Sequence, residues 1–171
     1  MSSTSSQFHS TINTGSEEFA LNHQGQLALV ERLREICGRA AALSDKARPR
    51  FEKRGQLLPR ERLVRLLDPG APFLEIGNVT GYLLDTPDRD LSVPGCSSIS
   101  GIGYIAGTRC MISVDDSGIN AGAMTTFSGK KSIRAMDIAI AKKLPFVHLV
   151  ESAGANLLEY EVEMWMDGGG V

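Results

Sequence analysis

The stretch Pro145-Phe146-Val147-His148-Leu149-Val150-Glu151-Ser152-Ala153-Gly154-Ala155-Asn156 runs from apolar residues into small ones. The apolar part reads as a buried strand, and the residues after the small ones read as the start of a helix. Small side chains let another molecule approach the backbone. The unpaired N–H groups of a helix start, aided by its dipole, attract a partial negative charge. An oxyanion hole is built this way, and so is a tight strand-to-helix connection with no chemistry at all. The local residues leave both readings open.

Other chemical motifs fare worse. Gly101-Ile102-Gly103-Tyr104-Ile105-Ala106 satisfies the dinucleotide pattern G-x-G-x-x-A, but that pattern must open a helix. Here the strand-like Arg109 to Val114 comes next, so the glycines belong to a hairpin turning at Ala106-Gly107-Thr108. Gly129-Lys130-Lys131-Ser132 echoes a phosphate-binding loop, yet the serine is one place late and Met124 stands where the first glycine belongs. His148 in an apolar strand reads as a satisfied core or sheet histidine rather than a base. Asp115 and Asp116 follow a strand with no third metal ligand spaced near them, which favours capping or turn duty. Lys130 and Lys131 read as exposed helix lysines, with contact to a ligand phosphate as the alternative.

The elements that position these residues follow from periodicity and punctuation. Residues 1–16 read as a disordered tail. Gln24 to Lys46 carries Leu27, Val30, Leu33, Ile36 and Ala40 at helical steps, a stripe that needs a packing partner. Pro49 ends this region, and Pro59 begins a second helix that stops at Asp68-Pro69-Gly70. Strands are expected near Leu74 to Ile76, Ser98 to Ala106, Arg109 to Val114 and Phe146 to Glu151. Asp85 to Gly95 is an irregular loop. Gly129 to Leu144 is a helix with Ile133, Met136 and Ile140 on one face, closed by Pro145. The order gives an α/β domain of strand-strand-helix units.

Composition excludes several classes. An apolar content of 42% and a net charge of -2 describe an ordinary folded chain that demands no nucleic-acid partner. The three cysteines are never spaced C-x-x-C, which fits a reducing, cytoplasmic setting without a disulfide framework or zinc site. No secretory signal or membrane span is visible. Between Gly25 and Arg65, eleven Lys or Arg face five Asp or Glu. This basic arm reads as a solvated helix face, with phosphate binding as the alternative.

The run Arg54-Gly55-Gln56-Leu57-Leu58-Pro59-Arg60-Glu61-Arg62, continuing through Leu66-Leu67-Asp68-Pro69-Gly70-Ala71-Pro72-Phe73-Leu74-Glu75, resembles the opening of the carboxyltransferase subunits of biotin-dependent acyl-CoA carboxylases. The glycine hairpin, Asp115-Asp116, Lys130-Lys131 and the Leu144 to Ala155 segment arise in that family's order. The resemblance covers about Gln24 to Trp165. It implies a crotonase-like (ClpP/crotonase) spiral of strand-strand-helix units, incomplete here, with a helical N-terminal arm over 17–70 and the first part of an acyl-CoA-binding domain over 71–171.

The resemblance also implies a chemistry. Carboxybiotin, carried on a partner protein, releases carbon dioxide beside a bound acyl-CoA; the freed biotin takes the α-proton, and the thioester enolate attacks the carbon dioxide. Gly154 and Ala155 would be backbone oxyanion donors, with Ser152, Ala153 and Lys130 on the substrate. Biotin and acyl-CoA are implied, with no metal. The implied partners are a biotin carboxylase or biotin carrier subunit and other carboxyltransferase subunits. Methylcrotonyl, geranyl and propionyl thioesters all remain open.

The chain departs from the family pattern at two places. Glu151-Ser152-Ala153-Gly154-Ala155 stands where Asp-Ser-Gly-Gly-Ala is common, so the Ala153 methyl is expected to narrow the site or alter its backbone angles. Ser117 to Ala123 also varies, which points to substrate fit. Family subunits carry two such domains in a chain several times longer. The expectation is therefore of a first part, ending at the helix entrance Asp167-Gly168-Gly169-Gly170-Val171 and inactive alone. A non-catalytic remnant, a biotin-linked acyl-CoA decarboxylase and a crotonase-type hydratase are the alternatives.

Overall fold

A computed structural model describes residues 9–155 and divides into two compact units, Met1–Glu35 and Ile36–Val171. The helix expected beyond Ala155, the Asp167–Val171 helix entrance and residues 1–8 of the expected tail lie outside the described residues.

In the first unit, Ser16 caps helix α1 (Glu17–Asp45), its Oγ accepting the Phe19 N–H at 3.1 Å. Glu17 and Glu18 add negative charge at the positive end of the helix dipole. The helix therefore starts before Gln24, where apolar periodicity alone begins it. Leu27, Val30 and Leu33 of its stripe are exposed, while Ile36 is buried. The packing expected of the stripe is therefore met at Ile36 and not at the first three.

The second unit holds the sheet. Helix α2 (Arg48–Lys53) takes Pro49 in its first turn, so that proline starts a helix as well as ending the preceding region. Helix α3 (Pro59–Leu66) begins with Glu61 accepting the Leu58 N–H at 3.0 Å. Phe51 and Leu58 are buried, and Leu63 joins the main core cluster. The division between the two compact units falls inside α1.

Strands β1 (Leu74–Ile76), β2 (Ser98–Ile105), β3 (Thr108–Asp115) and β4 (Phe146–Leu149) form one sheet in that order. The first two pairings are antiparallel and β3–β4 is parallel, with helix α4 (Thr126–Lys142) as the crossover. The β2–β3 turn is Ala106-Gly107, both at positive φ, and Asp68 accepts both N–H groups at 2.7 Å. The glycines of the G-x-G pattern leave room for neighbours: a Cβ on Gly101 would lie 2.4 Å from the Phe73 ring, and one on Gly103 would lie 2.5 Å from Leu67.

Both faces of the sheet are covered. Ile112, Val114 and Cys110 pack with Leu63 and Ile99, while Met111 packs with Ala135 and Ala139 of α4. The apolar face expected of α4 is inverted: Ile133, Met136 and Ile140 are exposed. Ser128, Lys131, Ala135 and Ala139 face inward, because alanine lets a helix approach a sheet closely and isoleucine does not. The helix also starts before Gly129, capped by the Thr125 hydroxyl on the Ser128 N–H, and ends at Lys143 in the left-handed conformation. β4 is half-exposed rather than buried, with Phe146 and His148 outward and Val147 and Leu149 on the core.

Candidate functional site

Beyond Leu149 the chain leaves the ladder because the Glu151 N–H turns to Asp115, donating to its Oδ2 at 3.1 Å. This ends the strand two residues before the expected Glu151. Ser152 Oγ donates to the Gly122 carbonyl at 2.6 Å, and the Ala153 N–H donates to the Ala121 carbonyl at 3.0 Å. The Met124 N–H donates to the Gly154 carbonyl at 2.8 Å, and Met124 pairs in parallel with Ala155. The segment after β4 is thereby stitched to the segment after β3. Ser152, Ala153 and Gly154 stay exposed, as small residues beside an approaching ligand should.

Close stitching requires Gly122. It has φ +68, and a Cβ there would lie 2.4 Å from the Glu151 carbonyl oxygen. Asn120 and Ala121 share its positive φ, so three successive residues turn the chain under the loop. Gly154 has φ +90, a conformation that excludes ordinary side chains. Ala153 does not take a positive φ, so its methyl imposes no left-handed strain.

The two expected donors differ. The Gly154 N–H donates to Ser152 Oγ at 3.0 Å. The Ala155 N–H has no acceptor among the described residues, consistent with a register in which Gly154 supplies the carbonyl to Met124. A free amide beside small, exposed residues can meet a developing oxyanion.

Electrostatic support comes from the strand ends. His148 Nε2 lies 3.0 Å from Asp115 Oδ1, so this histidine is satisfied on an exposed sheet face rather than in the core. Burial opposes the charge on Asp115. The bonds from His148 and the Glu151 N–H outweigh it and hold the carboxyl below its ordinary range. Arg62 pairs with Glu151. Asp116 is buried, and burial pushes its carboxyl up despite bonds from Ser44 Oγ at 2.7 Å and the Gly118 N–H at 3.0 Å. Asp116 therefore performs the turn duty read from sequence, whereas Asp115 braces the loop.

The lysine pair also separates. Lys130 is exposed, its Nζ 5.6 Å above the Phe127 ring, and it does not line the cavity beside Ser152. Lys131, which the sequence pattern places on the exposed face, is instead buried, its Nζ donating to the Gly95 carbonyl at 3.0 Å and the Ser98 carbonyl at 2.6 Å. Burial lowers its pKa to about 8.

A cavity of about 320 Å³ adjoins the loop, its wall including Arg50, Arg54, Ser117, Ala121, Ser152 and Ala153. Sequence reasoning missed Asp115 as a brace, Gly122 as the close approach and this basic wall. The signals present were a glycine in the small-residue run Asn120 to Ala123 that follows β3 and two arginines four residues apart. Among the described residues no helix is long and apolar enough to cross a membrane.

Comparison with known proteins places these features in one family. The carboxyl transferase domain matches residues 50–169. The biotin-dependent 3-methylcrotonyl-coenzyme A carboxylase beta1 subunit of Mycobacterium tuberculosis is 41% identical over 120 residues, covering 69% of this chain and 22% of that protein. A probable mitochondrial methylcrotonoyl-CoA carboxylase beta chain of Drosophila melanogaster is 35% identical over 150 residues, 87% of this chain and 25% of that protein. The crystal structure of the P. aeruginosa geranyl-CoA carboxylase beta subunit superposes with a TM-score of 0.84 at 45% identity, covering 94% of this chain and 30% of that one. The fold is crotonase-like. The chain spans about a quarter of the length of the curated relatives it matches. By the match over residues 50–169, it belongs to the carboxyl transferase domain family.

Proposed function

We propose that this chain supplies the acyl-CoA side of a biotin-dependent carboxyl transfer, with residues 71–171 opening the acyl-CoA-binding domain behind a helical arm over 17–70. The observation that carries the reading is the Ala155 N–H, which has no acceptor among the described residues and sits beside the exposed Ser152, Ala153 and Gly154. The names of the relatives support the class of reaction and of thioester.

In this reading the thioester carbonyl lies against the loop, and Ala155 donates to the oxygen on which enolate charge develops. A backbone donor needs no proton bookkeeping and is held rigidly. Losing one such donor in comparable sites costs about 2.7–4 kcal/mol of transition-state stabilisation. Gly154 is the second candidate donor, available when Ser152 Oγ gives up its N–H and keeps its own bond to Gly122. Carboxybiotin, presented by a biotin-carrying partner, is the carboxyl donor, and we assign no residue of this chain to it. Association with other carboxyltransferase subunits belongs to the same proposal. Lys130 has no part in the loop geometry.

Calorimetric titration of the chain with CoA and with methylcrotonyl-, geranyl- and propionyl-CoA tests the reading. Saturable binding that Ala155→Pro weakens more for acyl-CoA than for CoA, and that Ala155→Gly preserves, is the expected result. A folded chain that binds none of them contradicts it.

A further inference from the structure

We infer that Arg62 is a positioning residue for the thioester cavity: it pairs with the Glu151 carboxylate and keeps that charge from the oxygen on which enolate charge develops. The inference rests on the thioester reading and assigns what shields the same site from its own carboxylate. Glu151 lines the cavity with Ser152 and Ala153, and it leads the chain from β4 into the exposed loop. Its backbone is fixed twice. The N–H donates to Asp115 Oδ2 at 3.1 Å, and the carbonyl lies against Gly122, where an added Cβ would come within 2.4 Å of the oxygen. With the backbone fixed, the place of the carboxylate depends on its side-chain partner, which among the described residues is Arg62 of α3.

The contact supplies charge rather than direction. Arg62 Nη2 meets Glu151 Oε2 as an ion pair, yet neither Nη2 nor Nε of Arg62 has a hydrogen-bond acceptor among the described residues. The two side chains are 26% and 29% exposed, so water screens the pair incompletely and its charges offset one another as felt from the cavity. Asp115 and Asp116 have other partners: His148 and the Glu151 N–H for the first, Ser44 and the Gly118 N–H for the second. Glu151 is the carboxylate that lines the cavity among the described residues. Left unpaired, it would oppose the negative charge that the Ala155 N–H is placed to meet. Helix α3 holds the arginine steady, with Leu63 in the main core cluster and Glu61 paired with Arg48.

The test is a calorimetric titration with propionyl-CoA and with S-carboxymethyl-CoA, which share the nucleotide end. The first presents a neutral thioester beside the sulfur, the second a full negative charge. Both are added to the wild type, Arg62→Met, Arg62→Lys, Glu151→Gln and the double variant Arg62→Met/Glu151→Gln, with circular dichroism to confirm folding. Arg62→Met should weaken S-carboxymethyl-CoA about tenfold and propionyl-CoA by no more than about twofold, and Arg62→Lys, which keeps the charge, should lie between it and the wild type. The double variant should recover the lost affinity, because the carboxylate that did the harm is gone. Glu151→Gln alone should bind S-carboxymethyl-CoA at least as tightly as the wild type, a result that stands even if Arg62→Met fails to fold. Equal effects on the two ligands in Arg62→Met, no recovery in the double variant, or weaker S-carboxymethyl-CoA binding by Glu151→Gln would overturn the inference, and propionyl-CoA bound by the wild type would leave the thioester reading in place. A folded wild type that binds neither ligand removes both.

Discussion

The loop that enters β2 and the loop that leaves β4 border the same sheet, yet they are tied down by different chemistry. Before β2, Gly95, Cys96 and Ser97 take positive φ in succession, and the buried Lys131 ammonium closes the turn on two carbonyls. Ser92 is also fully buried there, bonded to Asp85 at 2.5 Å. After β4, Ser152 to Gly154 are exposed and are held by backbone bonds to Ala121 and Met124, one hydroxyl and the Asp115 carboxylate. A buried cation fastens a segment that has only to keep its shape. Small residues on exposed amides leave the other segment open to a ligand, and its rigidity comes from the neighbouring Gly122 turn.

The largest expected effect is on the seam that holds the open loop. Gly122→Ala should cost roughly 3 kcal/mol in denaturant unfolding, from left-handed strain plus the backbone collision with Glu151. Gly55→Ala, at φ +64 with nothing within 4 Å of the added Cβ, should cost only about 1 kcal/mol. Equal costs would mean that the seam is not tight.

Next comes the closed loop. Lys131→Met strips two carbonyls of their donor and should cost about 2 kcal/mol near neutral pH. The pH dependence has a definite sign. Burial lowers the folded pKa to about 8, so above that pH the folded chain has released a proton that the unfolded chain still holds. Stability from this group therefore rises with pH between about 8 and about 10.4, and Lys131→Met should abolish that rise. A Lys131 signal that titrates near its ordinary value would reverse the contrast between the loops.

Asp115→Asn should cost about 1 kcal/mol and act at the opposite end of the pH scale. The folded carboxyl lies below its ordinary range, so its stabilisation is present above the unfolded pKa of about 3.9 and is lost as pH falls through the folded value. The variant should flatten that acid limb in thermal melts. Smallest is His148→Ala, an exposed pair whose loss should change stability by less than about 0.5 kcal/mol.

How much of the molecule is legible in its sequence depends on the range of the interactions involved. β1 is legible to the residue, and the β2–β3 hairpin nearly so, because alternation and the Ala106-Gly107 turn are local signals. The exposed turn Ser152 to Gly154 after β4 is legible from its small residues, though the Ser152 bond that occupies the Gly154 N–H is not. The inward face of α4 is not legible, since periodicity rewards Ile133, Met136 and Ile140 while the close approach to Met111 selects Ala135 and Ala139. Lys131 and Asp115 escape for the same reason: their partners lie 33 to 36 residues away in sequence.

The claim that Ala155 is the donor is tested most directly by observing its backbone amide in a ¹H–¹⁵N spectrum while acyl-CoA, and separately CoA, is added. The Ala155 amide proton should move downfield with acyl-CoA and much less with CoA, as a new hydrogen bond to the thioester oxygen requires. An Ala155 resonance that stays in place while others in the cavity wall shift under saturating acyl-CoA would contradict that role.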